Sequence, residues 1–254
     1  MTAVGVVTGA ASGMGRLAAQ RLAASGVSVA AVDVNDQGLV STARRSPNMR
    51  TYTCDVTDPA AVTATVEAIE RDLGPADQLV HAAGRCRIGR TLEQPLDEFF
   101  GVVSVNLMGT VHITRSIVPT MKRAGHGTVV IFGSLAGWLP SPKLAAYSAS
   151  KFAVTAYAEI LAEELDKTGV QVMCVCPPEV DTPLARGVRE VDASVLGGTR
   201  PMSAARVLDC IELALARKNP PLFLFPGMAS SVSRARRFAP NLLRTQLMRH
   251  VPVS

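Results

Sequence analysis

Seven short apolar runs recur along this chain, at residues 3–8, 28–33, 50–55, 77–81, 127–133, 170–176 and 221–225, separated by amphipathic stretches of helix length at 13–25, 36–45, 59–73, 97–123, 146–168 and 203–217. No other feature narrows the fold as much. Strands alternating with helices at this spacing form βαβ units, because parallel neighbours need a crossover long enough to hold a helix. Runs such as Val29-Ala30-Ala31-Val32 and Val129-Val130-Ile131-Phe132 have no polar alternation, which calls for helices on both faces of the sheet. The expected fold class is α/β: a Rossmann-like, doubly wound parallel sheet of about seven strands flanked by helices.

No linker, repeat or low-complexity stretch divides the 254 residues, so residues 1–254 read as a single domain. Aromatic residues make up only 4%, which suits a core of Ala, Val and Leu. No apolar run reaches the roughly 18 residues of a membrane span, and strand-like sequence begins at Ala3 without a charged leader, so a cytoplasmic protein is expected. The five cysteines are odd in number and lack CxxC spacing, as free core thiols would. They supply no metal site.

The net charge is +5, and it is local: no acidic residue follows Glu212, whereas Arg217, Lys218, Arg234, Arg236, Arg237, Arg244 and Arg249 do. Nucleic-acid binding would add stacking aromatics or a reading module, and neither is present. Residues 228–250 read as a C-terminal helical extension, packed on the body or a partner subunit, or touching acidic lipid peripherally.

Ligands of open α/β sheets sit beyond the carboxyl ends of the strands, which directs attention to 9–15, 33–36, 82–92, 134–145 and 177–200. The first strand runs into Thr8-Gly9-Ala10-Ala11-Ser12-Gly13-Met14-Gly15 and then a helix. Glycines permit a tight turn there, and the helix N-terminus can face a pyrophosphate. Gly9, Ser12, Gly13, Met14 and Gly15 are therefore candidate cofactor residues. Asp33 ends the second strand, where it can accept hydrogen bonds from the adenosine ribose of NAD and repel the 2′-phosphate of NADP. Arg16 keeps NADP open. Asp55, followed by Val56, either meets the adenine amino group or caps a turn.

Tyr147 and Lys151 stand four residues apart on a helix, so both leave the same face. A tyrosine near its usual pKa of about 10 needs a shift of about three units to act as a base near neutrality. One ammonium at about 4 Å is sufficient at an effective dielectric near 20, and oxidised nicotinamide adds a second positive charge. Ser134, at the end of the fifth strand, can hold a substrate oxygen beside the phenol. A nucleophilic role would want Gly-x-Ser-x-Gly and a histidine base, and that motif is absent.

The T-G-x-x-x-G-x-G spacing, the Y-x-x-x-K pair and the thirteen-residue interval from Ser134 to Tyr147 resemble the short-chain dehydrogenase/reductase family, over nearly the whole chain. The resemblance implies hydride transfer between NAD(H) and a secondary alcohol or ketone. It assigns catalysis to Ser134, Tyr147 and Lys151, and to Asn106 the holding of a helix distortion and of a water behind the lysine. NADP-preferring relatives carry a basic residue at the positions of Ser12 or Val34, so it supports NAD. His81-Ala82-Ala83-Gly84 stands where the family has N-N-A-G: Ala83 and Gly84 still admit the ribose, but another group must stiffen the turn. Pro177, Val180 and Thr182 match the family's P-G-x-V-x-T, which holds the nicotinamide carboxamide, with Pro178 in place of its glycine.

Residues 178–200 read as a substrate lid. Leu135, Trp138, Leu139, Pro140, Leu144, Pro178, Leu184 and Val188 suggest a lipophilic pocket, with Glu179, Arg85 and Arg87 as polar contacts; Trp138 serves either the pocket or loop packing. Apolar faces on 97–123 and 146–168 would suit a homodimer or homotetramer. The rival reading is a non-catalytic, NAD-sensing regulatory or scaffold protein on the same fold.

Overall fold

The structure, a computed structural model, describes residues 2–44, 46–196 and 200–227. Strands β1 (Val4–Thr8), β2 (Ser28–Asp33), β3 (Met49–Thr53), β4 (Gln78–His81), β5 (Gly127–Phe132), β6 (Val170–Val175) and β9 (Phe223–Leu224) form one parallel sheet in the order β3-β2-β1-β4-β5-β6-β9. The chain winds outward from β1 to β3, returns to β4 and then runs the other way. That reversal opens a crevice beyond the carboxyl ends of β1 and β4, where Thr8 lies opposite His81. The last strand is shorter than the apolar run around it, because only Leu222 and Leu224 offer carbonyls to β6.

Both faces of the sheet are buried. On one, Val6, Val32, Leu79 and Ile131 pack against Val62 and Ile69 of α3 (Pro59–Leu73), Ile113 and Ile117 of α5 (Gly109–Ala124) and Val154 of α6 (Ala145–Glu164). On the other, Val7, Val29, Val80 and Val130 meet Ala19 of α1 (Gly13–Ala24), Leu39 of α2 (Asp36–Ala43) and Ile211 of α8 (Ala204–Leu215). Each buried Val, Leu or Ile contributes about 1.5–3 kcal/mol, so the unbroken apolar runs are satisfied only in this three-layer arrangement.

Half of the described α-helices are capped at their start by a side chain: Asn35 accepts from Gly38 N, Asp58 from Ala60 N and Ala61 N, Thr182 from Ala185 N and Ser203 from Arg206 N. α1 is not among them. Ser12 precedes it in extended conformation with no side-chain cap, and no acidic residue lies in its first turn.

The stretch 97–123, expected as one helix, is two: α4 (Leu96–Val103) and α5 are joined by a π turn over Ser104–Met108. Asn106, 1% exposed, turns its side chain away to bond Arg85 and Ser150. Gly109 lets Val56 approach so closely that a Cβ there would lie 2.7 Å from Val56 Cγ2. The segment 178–200 holds a helix, α7 (Pro183–Asp192), followed by a 3-10 turn at Ala193–Leu196. It is framed by β7 (Val180–Asp181) and β8 (Met202–Ser203), which pair in parallel. The expected C-terminal extension at 228–250 lies outside the described residues.

Candidate active site

A cavity of about 300 Å³ fills the crevice. Gly9, Ser12, Gly13, Met14 and Gly15 line it at one end, Asp33, Asp55 and Val56 beside them, and Ala83, Gly84, Tyr147, Lys151 and Thr182 further along. The glycines are there for closeness of approach. A Cβ on Gly9, whose φ is +69°, would stand 2.6 Å from the backbone of Ala82 and Ala83; one on Gly15 would stand 2.2 Å from Gly9 O. Loop, β4 end and helix start thus form one shell of bare backbone. The first amides of α1, which no side chain caps, sit on that shell with the positive end of the helix dipole. An uncapped helix start on a glycine cradle fits a diphosphate.

Asp33 is fixed by main-chain donors: Oδ2 accepts from Ala11 N at 2.9 Å and Oδ1 from Asn35 N at 2.9 Å. Arg16 is committed elsewhere, its guanidinium bonding Ala11 O and, at 3.0 Å, Thr42 Oγ1. Asp55 lines the cavity, but its Oδ1 accepts from Thr57 N at 2.9 Å and from Thr57 Oγ1 at 2.8 Å, so it also caps a turn.

His81 supplies the stiffening that the missing asparagines leave undone. Ala83 N–H donates to Thr8 Oγ1 at 3.4 Å, and the same hydroxyl shares a 2.7 Å hydrogen bond with His81 Nδ1, while His81 Nε2 is buried with no hydrogen-bond partner among the described residues. Burial, with the nearby Lys151 charge, pushes the His81 pKa down to about 3, so the ring is neutral. It ties β1 to β4 and takes no part in proton transfer.

At the far end Tyr147 and Lys151 share one face of α6, the ammonium 5.8 Å from the phenol ring centroid. Lys151 Nζ donates to Phe132 O at 2.7 Å, and burial lowers its pKa to about 8. Burial pushes the Tyr147 phenol above its ordinary value, with Cys86 acting in the same direction and the Ser134 hydrogen bond opposing. The lysine and the oxidised cofactor together are expected to lower it; in the free cleft burial dominates. Ser134 follows cavity-lining Gly133, and its Oγ accepts from Ala136 N at 3.1 Å. Asn106 stands behind the wall, taking the Arg85 N–H on Oδ1 at 2.8 Å and donating from Nδ2 to Arg85 O and Ser150 Oγ, both at 2.9 Å.

Thr182 caps α7 through Ala185 N, while Pro177 and Val180 lie behind the lining: Pro177 O accepts from Leu135 N at 2.9 Å, and Val180 O from Thr182 Oγ1 at 3.3 Å. Two expected pocket contacts turn away. Trp138 packs edge-on to Phe223 and Phe225 at 5.2 and 5.3 Å, and Glu179 is held by Arg189. Leu144 and Val188 are buried, while Leu184 stays on the cavity wall. All five cysteines are free thiols.

Val34, Cys54, Val105, Phe132, Gly133 and Pro183 also line the cavity. Phe132 and Gly133 were findable, since they directly precede Ser134 at a strand's carboxyl end. Val105 stands beside Asn106, where the resemblance placed a helix distortion, yet helical periodicity does not mark which side chain such a turn presents.

The family described as short chain dehydrogenase matches residues 3–193. A 2-dehydro-3-deoxy-L-rhamnonate dehydrogenase (NAD(+)) from Sphingomonas sp. is 36% identical over 182 residues, 70% of this chain and 72% of its own length. Among solved structures, a short-chain dehydrogenase from Streptomyces avermitilis superposes with a TM-score of 0.84 at 26% identity, covering 98% of this chain and 96% of the other. An actinorhodin polyketide ketoreductase variant with NADPH does so at 0.81 and 29%, covering 88% and 95%.

Proposed function

The chain belongs to the short-chain dehydrogenase family, and we propose that it moves a hydride between NAD(H) and a lipophilic secondary alcohol or ketone, with Tyr147 as the proton carrier. One observation carries the reading: the uncapped glycine cradle and the Ser134–Tyr147–Lys151 group share one crevice. In this assignment the amides of Gly13, Met14 and Gly15 hold the diphosphate and Asp33 the adenosine ribose. Ala83, Gly84 and Lys151 face the second ribose, and Val180 and Thr182 the carboxamide.

When bound, the nicotinamide gives or takes the hydride and, oxidised, brings a positive charge beside the phenol. Ser134 holds the substrate oxygen against Tyr147. For carbonyl reduction the raised phenol is a proton donor that stays loaded near neutrality. For alcohol oxidation it must release that proton. The ammonium, 5.8 Å from the ring centroid, favours that release, yet in the free cleft burial leaves the phenol raised. The cofactor's positive charge favours release further. Proton removal from the alcohol therefore follows cofactor binding.

Preference for NAD rests on Asp33, held as a fixed anion, with Arg16 engaged elsewhere and no cation at Ser12 or Val34. Among the relatives, one names NAD(+) and another was solved with NADPH, so the chain's own residues must decide. The lipophilic substrate rests on Leu184, 39% exposed on the cavity wall, and on half-buried Leu135 and Leu139 after Ser134. A sugar acid such as the Sphingomonas enzyme's named substrate finds few free polar groups here. Leu96, Phe100 and Ile160, more than half exposed on α4 and α6, suit pairing with a second copy of the chain. No described helix is long and apolar enough to cross a membrane.

The test is a panel of secondary alcohols, sterols, hydroxyacyl compounds and sugar acids with NAD and with NADP, followed at the reduced-nicotinamide absorbance. Turnover of sugar acids alone would overturn the substrate assignment, and equal rates with NADP the cofactor assignment.

A further inference from the structure

We propose that Lys143 is a positioning residue, clasping the segment 183–196 across the mouth of the crevice. It lies in the loop between β5 and α6, four residues before Tyr147, at a φ of +65°. A residue with a Cβ rarely adopts that left-handed conformation and persists there only when its surroundings hold it. Three segments of the mouth meet on this one residue. Its carbonyl accepts the Gly89 N–H at 3.0 Å, and Gly89 also bridges to Leu144, which ties in the loop after β4. Its ammonium reaches Asp192 Oδ2 at 2.9 Å, at the end of α7, with the two side chains 20% and 26% exposed.

The carboxylate it reaches is itself braced: Asp192 Oδ1 accepts from Ser194 N at 3.0 Å and from Ser194 Oγ at 2.6 Å. Glu179 and Asp181, just before the segment, pair with Arg189 and Arg186 within it. Among the described residues, Lys143–Asp192 is the ion pair that joins the segment to the loop before α6. A weaker contact, Ser141 Oγ to Val195 O at 3.5 Å, runs alongside. The start of α7 is cavity wall, through Pro183 and Leu184. Fixing its far end to the loop that leads into Tyr147 therefore sets the width of the mouth from both sides. A partly buried pair on a braced carboxylate resists solvent more than a free surface pair does.

This inference goes beyond hydride transfer, and its test needs neither substrate nor cofactor, so it can fail while that reading stands. The measurement is amide hydrogen exchange on the full-length protein, compared between residues 183–196 and strands β1 and β5. Lys143→Gly relaxes the turn but removes the ammonium; exchange in 183–196 is expected to quicken by at least about tenfold, with the strands unchanged and the melting temperature held. Lys143→Arg should stay within about twofold of wild type, and the swap Lys143→Asp with Asp192→Lys should restore what Asp192→Lys alone loses. Salt at about 1 M should quicken exchange in the wild-type segment and leave Lys143→Gly unaffected. Unchanged exchange in Lys143→Gly, or equal loss in Lys143→Arg, would overturn the clasp.

Discussion

Replacing Gly15 by alanine probes the cradle where it is tightest. The added Cβ would stand 2.2 Å from Gly9 O, 2.6 Å from Gly9 C and 3.1 Å from Thr8 O, all backbone atoms. An ordinary carbon–oxygen contact needs about 3.3 Å, so helix and loop must part by about 1 Å. The loop has no room to retreat, because Gly9 already lies against Ala82 and Ala83 on its other side. Overpacking of this kind costs about 1–3 kcal/mol, and at about 2–4 °C per kcal/mol for a chain of this size the melting temperature should fall by several degrees. Moving the first amides of α1 by about 1 Å forfeits at least one hydrogen bond to an anion, about 1.5–3 kcal/mol. Affinity for NAD should then drop by about 10- to 150-fold in a calorimetric titration. Gly187→Ala is the control: nothing lies within 4 Å of its Cβ, and on a helix it should stabilise by up to about 1 kcal/mol. A Gly15→Ala protein that binds NAD within about twofold of wild type and melts normally would refute the account of a rigid backbone shell.

Asp33→Asn keeps the shape of the side chain and removes its charge, so the preference for NAD over NADP, expected to be at least about tenfold in the parent, should shrink in kcat/KM measured with both cofactors; an unchanged ratio would acquit the carboxylate. Tyr147→Phe should lower turnover by about 10²–10⁴-fold while NAD affinity holds, and retention of most activity where chemistry limits the rate would remove Tyr147 as the proton carrier. Lys151→Met should lose activity yet gain stability. Because burial lowers the lysine pKa from 10.5 to about 8, between those values the unfolded chain keeps a proton that the folded chain has released, and wild-type stability rises with pH through that window. The methionine variant should therefore lead by up to about 3 kcal/mol below pH 8 and lose that lead towards pH 10.5. Denaturant melts at pH 7 and pH 10 check the sign, and a margin equal at both would sink it.

The architecture was legible because its signals are local and repeated: each apolar run became a strand within a few residues, and the reversal between β1 and β4 follows from βαβ winding. The glycine loop and the Tyr147–Lys151 pair were legible because backbone approach and helical spacing impose residue type at fixed intervals. What escaped depends on contacts far apart in the chain. The resemblance put a helix distortion at Asn106, but not the Arg85 and Ser150 partners that hold the side chain, and it left Trp138 open between pocket and packing, which Phe223 and Phe225, some 85 residues on, decide. The raised phenol of Tyr147 in the free cleft was not legible, because a pairwise charge can be reckoned from spacing, whereas the burial of the whole helix face cannot.

The π turn at Ser104–Met108 also absorbs one residue in the helical arm beneath the site. Deleting one residue there would regularise the backbone and keep the downstream helix in phase, since Gly109 N–H reaches back five residues to Ser104 O where an α-turn reaches four. Ile113, Ile117 and Met121 would stay on the sheet they now cover. What would go is the irregularity that turns Asn106 toward Arg85 and Ser150 and presents Val105 to the cavity. Adding or removing a residue further along α5 would instead rotate everything beyond it by about 100°, so this arm should tolerate a change of length only at the turn that already holds one.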